Sequence, residues 1–69
     1  MQLVVHVNDS PHEVPLGETL AGLLEHLALA RRRGVAVAVN DMVVPRGEWA
    51  ARALQAEDRV LVISAIQGG

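Results

Sequence analysis

The feature that most restricts the fold of this chain is a single stripe of leucines between segments whose alternation is typical of strands. The stripe comprises Leu20, Leu23, Leu24 and Leu27. Spacing of i, i+3, i+4 and i+7 places these side chains on one face of an amphipathic helix. Thr19 can cap the start of that helix, and the arginines at 31–33 followed by Gly34 suit its C-terminal end. The sequence therefore predicts one main helix whose leucine face has to be buried.

Two strand patterns precede the helix. Apolar residues alternate over 3–7, and turn-forming residues at 8–11 separate this segment from a short second pattern at 12–16. Pro15 lacks the N–H group that a strand ladder needs, so the second strand should lie at an edge of the sheet. Together the two segments predict an N-terminal hairpin.

Three further strand patterns follow the helix. Valines alternate with alanines at 35–39, and Asn40-Asp41 provides a two-residue turn into a short strand at 42–44. The segment at 46–53 is predicted as a turn or short helix, and the last strand extends over 59–66.

This order of elements predicts an α+β fold, in which one main helix packs across one face of a mixed sheet of four to five strands. In such a topology the first and last strands commonly lie side by side at the centre of the sheet. That is the ubiquitin-like β-grasp arrangement. We expect residues 1–66 to form a single domain and residues 67–69 to form a flexible C-terminal Gly-Gly tail.

Composition excludes several kinds of site. The chain has 69 residues, which allows one small core, and it contains neither cysteine nor lysine. Thiolate nucleophiles, Schiff bases and sulfur-bound metals are therefore excluded, and we expect no metal site. A net charge of −2 and a single aromatic residue, Trp49, argue against nucleic acid as a partner. Apolar runs are far shorter than the about 20 residues that span a bilayer, so we expect a cytoplasmic protein with no membrane partner.

The C-terminal residues Gly68-Gly69 follow the apolar run at 60–66, with only Gln67 between them. Because glycine has no Cβ, two glycines form a thin tether that can enter a narrow channel. Such a tether is useful where the terminal carboxylate is itself the reactive group. The alternative is an ordinary frayed terminus, since chain ends are commonly disordered.

The last strand is apolar at nearly every position from 60 to 66, so both of its faces are apolar. One helix covers only one face of a sheet, and an exposed apolar face commonly marks a partner site. The alternative is that the segment around Trp49 folds over the second face. Trp49 and Pro45 are interpreted as structural, whereas Arg46 suits either an ion pair within the domain or an acidic group of a partner.

The block at 39–49 resembles the central signature of the ThiS family, the sulfur carriers of thiamine biosynthesis. Asn40 opens a turn, Val44-Pro45-Arg46 follows, and Trp49 comes three residues after the arginine, at the family's spacing. The ending at 66–69 is similar to the family's Ile-x-Gly-Gly, and the resemblance extends over essentially the whole chain.

One departure from the family pattern concerns the turn before the last strand. Many members have glycine before the aspartate that opens this strand, whereas this chain has Glu57 before Asp58. The geometry of that turn is therefore in question, and the chemistry at the terminus is not affected.

The resemblance implies a carrier that catalyses nothing itself. An E1-like, ATP-using partner of the ThiF type would adenylate the carboxylate of Gly69. Sulfur from a cysteine desulfurase or another donor would then replace AMP and leave a thiocarboxylate, which thiazole synthase of the ThiG type would accept. Ile66, Gln67 and Gly68 would be the tail presented to the partners, with no cofactor bound and ATP used by the activating enzyme.

Three other functions stay open on the sequence. The chain could carry sulfur for molybdopterin or for tRNA thiolation, with the same chemistry at Gly69, although molybdopterin carriers are typically longer and lack the block at 39–49. It could be a ubiquitin-like protein modifier, which would produce covalent protein adducts. It could also be a β-grasp binding module, such as an RNA-binding regulatory domain, which would keep its function without Gly68 and Gly69.

Overall fold

The computed structural model describes residues 1–30 and 33–64. The elements in chain order are strand β1 (Gln2–Val7), strand β2 (Ser10–Pro15), helix α1 (Leu20–His26), strand β3 (Val35–Val39), strand β4 (Met42–Val43), a 3₁₀ helix (Arg46–Ala51) and strand β5 (Arg59–Ser64). Every element predicted from the sequence is present, and the segment after β4 forms a short helix rather than a simple turn. β4 ends at Val43, one residue earlier than predicted, and residues 65 and 66 of the predicted last strand lie outside the described residues.

The strands form one sheet in the order β2-β1-β5-β3-β4. β1 and β5 are parallel to each other, and the other neighbouring strands are antiparallel. The first and last strands therefore lie at the centre, and β2, which contains Pro15, lies at an edge. This arrangement confirms the predicted α+β fold of the β-grasp type.

A tight turn connects the two strands of each antiparallel hairpin, β1–β2 and β3–β4. Asn8 and Asp9 have φ angles of 49° and 71°, and Asn40 and Asp41 have φ angles of 52° and 72°. Asparagine and aspartate tolerate this left-handed conformation better than other residues with side chains, which explains their position here. The second turn is the predicted one. The first turn is shorter than predicted, since β2 begins at Ser10.

Helix α1 begins where the sequence predicts. The Thr19 side chain accepts a hydrogen bond from the backbone N–H of Gly22 at 3.1 Å, which is the geometry of an N-cap. The leucine stripe faces the sheet, and Leu20, Leu23 and Leu24 are buried. The predicted buried face is therefore confirmed for these three leucines, whereas Leu27 follows the helix as its C-cap residue and is partly buried.

The predicted C-terminal end of the helix is wrong. Helix α1 ends at His26, well before Arg33, and Ala28 takes a left-handed φ of 60°. The backbone N–H of Leu29 donates to the carbonyl of Leu24 at 2.8 Å, so the chain reverses immediately after the helix. This reversal packs Leu29 against the core, where a continued helix would have carried it away.

The core lies between α1 and one face of the sheet. Its fully buried side chains are Val5, Leu20, Leu24, Val37, Val39 and Val60. Trp49 is also buried, and its indole N–H donates to the carbonyl of Val44 at 2.9 Å. Because the ring fills space while its N–H is satisfied, the structural interpretation of Trp49 is confirmed.

The boundary between the predicted domain, 1–66, and the predicted tail, 67–69, lies outside the described residues and stays a prediction. Within the part of the chain that is described, no helix has the length and apolarity needed to cross a membrane.

Candidate functional site

The predicted site residues Ile66, Gln67, Gly68 and Gly69 lie outside the described residues. What the structure describes is the strand that leads to them. β5 lies between β1 and β3 in the middle of the sheet, and it stays paired with β3 as far as Ser64. The terminus is thus approached from the centre of the fold, not from an edge.

The face of the sheet opposite α1 is open. Along β5, Val60 is buried on the helix side, whereas Leu61 is 49% exposed and Ile63 is 55% exposed on the other side. In the register of the sheet, Leu61 lies beside Ala38 on β3, and Ala38 lies in turn beside Val43 on β4. We call the apolar surface formed by Ala36, Ala38, Val43, Leu61 and Ile63 the open face.

The segment around Trp49 does not cover the open face. It lies on the helix side, where the N–H of Leu20 donates to the carbonyl of Arg52 at 2.8 Å. The N–H of Leu54 donates to the carbonyl of Glu18, also at 2.8 Å. The alternative in which this segment folds over the second face of the last strand is therefore wrong, and the open face is exposed to solvent.

Charged side chains border the open face where β5 begins. The Arg59 guanidinium contacts the Asp41 carboxylate at 3.1 Å, and the ring Nε2 of His6 lies 2.8 Å from the Glu57 carboxylate. Arg59 and Asp41 carry opposite charges that neutralise one another, so the open face presents an apolar centre with a polar and charged rim.

The signature asparagine has a structural role that the sequence did not reveal. Asn40 Nδ2 donates to Asp58 Oδ1 at 2.9 Å, and the N–H of Arg59 donates to Asn40 Oδ1 at 2.9 Å. Asp58 Oδ2 accepts from the N–H of Gln55 at 2.8 Å, and Asp58 is 4% exposed. The network joins the β3–β4 turn to the start of β5, which places the strand that leads to the terminus.

Arg46 of the signature is used within the domain. Its Nη1 donates to the carbonyl of Ala30 at 2.6 Å, and its guanidinium lies 4.5 Å from the centroid of the Trp49 ring. Both of these Arg46 contacts lie inside the domain, and the choice between an ion pair within the domain and an acidic group of a partner stays a prediction.

The departure at Glu57 is also explained. Glu57 has a φ of 66°, a left-handed conformation that glycine adopts without strain. Its N–H donates to the carbonyl of Val4 at 2.7 Å, and its carboxylate contacts His6. The turn before β5 therefore has at Glu57 a backbone conformation that suits glycine, and both the N–H and the carboxylate of Glu57 make contacts there.

Among the described residues, no three histidine, cysteine or acidic side chains are grouped so that they could hold a metal ion. His26 is exposed on the helix, as its position off the leucine stripe predicts.

A family model for the ThiS family matches residues 3–69. The chain belongs to the ThiS family. The match spans the signature block, β5 and the terminal glycines, so it covers both parts of the molecule on which the resemblance was based. The function expected from the resemblance, sulfur carriage for thiamine biosynthesis, is confirmed at the level of the family.

Curated relatives agree with this assignment. The sulfur carrier protein ThiS of Escherichia coli is 39% identical over 62 residues, which are 90% of this chain and 92% of that protein. A thiazole synthase of Magnetococcus marinus is 43% identical over 65 residues, which are 94% of this chain. The chain spans only 20% of the length of that thiazole synthase.

Solved structures show the same fold. A crystal structure of the thiamine biosynthesis protein ThiS from Geobacter metallireducens superposes with a TM-score of 0.80 at 26% identity and covers 97% of this chain and 100% of that chain. An NMR solution structure of a thiamine biosynthesis protein from the same organism gives a TM-score of 0.74 at 28% identity, with 97% and 88% covered.

Proposed function

We propose that this ThiS-family protein carries sulfur as a thiocarboxylate on the C-terminal carboxyl group of Gly69 and delivers it for thiazole formation. The observation that carries the proposal is the family match, because it continues through the Gly68-Gly69 ending. The described structure supports it, since β5, the last strand before the terminus in the sequence, is the central strand of the sheet.

The chemistry explains why such a carrier needs an activating partner. A carboxylate is a poor electrophile, because its charge is delocalised and it has no good leaving group. Transfer of AMP from ATP neutralises the Gly69 carboxylate and provides that leaving group, and pyrophosphate is released. A sulfide-level nucleophile then attacks the carbonyl carbon and displaces AMP, which exchanges one oxygen for sulfur. Where the donor is a persulfide, its attack gives an acyl disulfide, and a thiol reductant then cleaves the S–S bond to release the thiocarboxylate and a disulfide.

The activating partner is an E1-like adenylyltransferase of the ThiF type, and the sulfur comes from a cysteine desulfurase or another donor. ATP is used by that enzyme, and this chain binds no cofactor and acts as a co-substrate. Holding the carboxylate and ATP in register on the enzyme supplies about 7–11 kcal/mol of the barrier in favourable cases. The carrier contributes recognition and the presentation of its tail, Ile66, Gln67 and Gly68.

The acceptor is thiazole synthase of the ThiG type. The support is the M. marinus thiazole synthase, in which a segment 43% identical to this chain forms about a fifth of the whole protein. A carrier-like segment and the remainder of that protein thus share one polypeptide. Covalent linkage of this kind raises the effective concentration of one part at the other.

The open face is the surface by which the partners hold the carrier. Leu61 and Ile63 lie on β5, so a partner that covers them also receives the chain that follows Ser64. An exposed apolar patch costs solubility unless it is covered in a complex, which favours docking over a structural role.

Intact mass spectrometry tests the proposal. The full chain is incubated with a ThiF-type enzyme, ATP and a sulfur donor, and we expect a mass gain equal to the exchange of one oxygen for sulfur, located at Gly69. Gly69→Ala should keep the fold and lose most of this gain, because a Cβ collides with the walls of a channel shaped for glycine. Covalent protein adducts would instead indicate a modifier, and the absence of any change with an active enzyme would refute the proposal.

A matched pair of variants tests the docking surface. Leu61→Asp places a charge on the open face, whereas Leu16→Asp makes the same change at a 63% exposed leucine beyond the end of β2. We expect Leu61→Asp to lower kcat/KM for adenylation by about ten-fold or more, as at an interface hot spot. Leu16→Asp should behave as wild type. Equal rates for the two variants would show that the open face is not used.

A further inference from the structure

β5 extends beyond β1 on the side that leads to the terminus. The parallel pairing joins His6 to Arg59 and Val7 to Val60, and β1 then turns away because Asn8 takes a φ of 49°. Among the described residues, the last main-chain hydrogen bond between this part of the chain and β5 runs from the N–H of Asn8 to the carbonyl of Val60, at 2.9 Å.

The side chain of Asn8 continues the ladder where the backbone of β1 stops. Alternate residues of a strand face the same neighbour, so Val62 is the next residue of β5 to face this side. The N–H of Val62 donates to Asn8 Oδ1 at 2.9 Å, and Asn8 Nδ2 donates to the carbonyl of Val62 at 3.3 Å. The carboxamide thus offers one acceptor and one donor, as a peptide group does.

Asparagine is the residue type that meets every requirement of this position. Glutamine and asparagine both carry an acceptor and a donor on one group, but asparagine is the one that is favoured at positive φ. Aspartate would keep the acceptor for the Val62 N–H and would face the Val62 carbonyl with a second oxygen. Glycine would suit the positive φ at this position, but it would make neither of the two hydrogen bonds to Val62.

Val62 is the last residue of β5 that is held from both sides. β3 pairs with it through Val37, and Asn8 holds its other edge, whereas beyond it the pairing of β5 within the described residues is with β3 alone. Val62 precedes Gly69 by 7 residues, which span at most about 24 Å when extended. The edge of β5 that Asn8 holds therefore lies close in the chain to the residue that carries the carboxylate.

We propose that Asn8 is a positioning residue for the reactions at Gly69. By holding Val62 on the edge that β1 has left, its carboxamide sets the direction in which β5 delivers the tail to the activating enzyme. This proposal rests on the proposed function, and it assigns to the β1–β2 turn a role separate from that of the open face.

The test compares Asn8→Gly and Asn8→Asp with the control Asp9→Gly. Asp9 is in the same turn, also at positive φ, and its carboxylate makes no hydrogen bond or ion pair with any residue in 1–30 or 33–64. The first readout is hydrogen exchange of the Val62 amide in the carrier alone. We expect Asn8→Gly to speed exchange by about ten-fold, Asn8→Asp to have a smaller effect, and Asp9→Gly to have none.

The second readout is the kinetics of adenylation by a ThiF-type enzyme, with the carrier as the varied substrate. We expect Asn8→Gly to lower kcat by about ten-fold, because misplacement of a reacting group is costly, while KM stays within about two-fold since the open face is unchanged. A variant that was merely less stable would raise KM, because fewer molecules are folded, and would keep kcat at saturation. Asn8→Asp should have an intermediate kcat, and Asp9→Gly should match wild type.

The outcomes separate this proposal from the proposed function. If Val62 exchange accelerates while the kcat of Asn8→Gly equals that of wild type, positioning by Asn8 is refuted and the sulfur-carrier function stands. A rise in KM alone refutes it in the same way, by showing a structural role. If wild type itself is never adenylated, the proposed function fails in that control and the positioning role falls with it. Trp49 fluorescence confirms that each variant is folded before its kinetics are compared.

Discussion

Replacing Asp58 with asparagine should destabilise this small domain far more than the loss of one charge suggests. The Asp58 carboxylate accepts from the N–H of Gln55 and from Asn40 Nδ2, and Asn40 Oδ1 accepts in turn from the N–H of Arg59. The chain of bonds begins and ends at backbone donors, whose orientation cannot change. Between them, one acceptor-only carboxylate and one amide satisfy every group.

Two amide side chains cannot satisfy the same series of hydrogen bonds. In Asp58→Asn, an oxygen turned toward the Gln55 N–H directs the new NH₂ group at Asn40. If the Asn40 carboxamide flips so that its oxygen accepts from this NH₂ group, the Asn40 NH₂ group then faces the N–H of Arg59. Every arrangement therefore brings two donors together, either beside residue 58, which is 4% exposed, or at the exposed bond between Asn40 and the N–H of Arg59. One unsatisfied buried donor costs about 2 kcal/mol, and this is the largest loss expected.

That cost is large for a chain of 69 residues, whose stability is expected to be about 3–10 kcal/mol. With an unfolding entropy of about 2.1 cal/mol/K per residue, the same cost lowers Tm by about 14 °C. Urea denaturation followed by Trp49 fluorescence measures it, since Trp49 is buried in the folded state. The m-value should be unchanged, because the surface exposed on unfolding is the same.

Asp41→Asn is the matched control, because it makes the same chemical change at an exposed carboxylate that pairs with Arg59 at 3.1 Å. Exposed ion pairs contribute about 0–1 kcal/mol, so this variant should lose little stability. The double variant Asn40→Asp with Asp58→Asn exchanges the amide and the carboxylate and restores the sequence of donors and acceptors. It should recover most of the loss. Equal stability of Asp58→Asn and Asp41→Asn, or a double variant that loses the sum of its single losses, would refute the donor-conflict argument.

Three further changes test the helix and the signature, each by urea denaturation. Thr19→Ala removes the N-cap acceptor and should cost about 1 kcal/mol, whereas Thr19→Ser should cost little because the hydroxyl remains; equal losses would contradict the cap. Leu24→Ala should cost about 3 kcal/mol, since Leu24 is fully buried and its loss leaves a cavity; a loss below 1 kcal/mol would show that the site collapses. Arg46→Lys should cost about 1 kcal/mol, because an ammonium cannot stack on Trp49 as a planar guanidinium does, and an unchanged midpoint would contradict the stacking role.

The local patterns predicted most of the fold because each depends on neighbours in the chain. The leucine stripe predicted the buried face of α1, and the Asn40-Asp41 pair predicted a tight turn, since both follow from backbone geometry at short range. Pro15 predicted an edge strand through its missing N–H. The reactive terminus was predicted from Gly68-Gly69 and from the resemblance, and it remains a proposal.

Other features could not be predicted from local patterns. Arg31–Arg33 and Gly34 suggested a longer helix, but the chain reverses after His26 because Leu29 packs on a core that the other strands create. Asn40 and Asp58 stand 18 positions apart in the sequence. Nothing in their spacing indicated that the turn carrying one would lie against the start of β5.

What the sequence by itself determined is the set of elements, their order and the family, because periodicity, turn residues and the signature block are all properties of adjacent residues. The tertiary structure decided which face of β5 stays open and which groups hold that strand. Leu61 and Val60 are equally apolar in the sequence, and only the packing of α1 on one side of the sheet buries one and exposes the other. Likewise Asn8 reaches Val62 across 54 positions of the chain, a contact that exists only because β1 and β5 are neighbours.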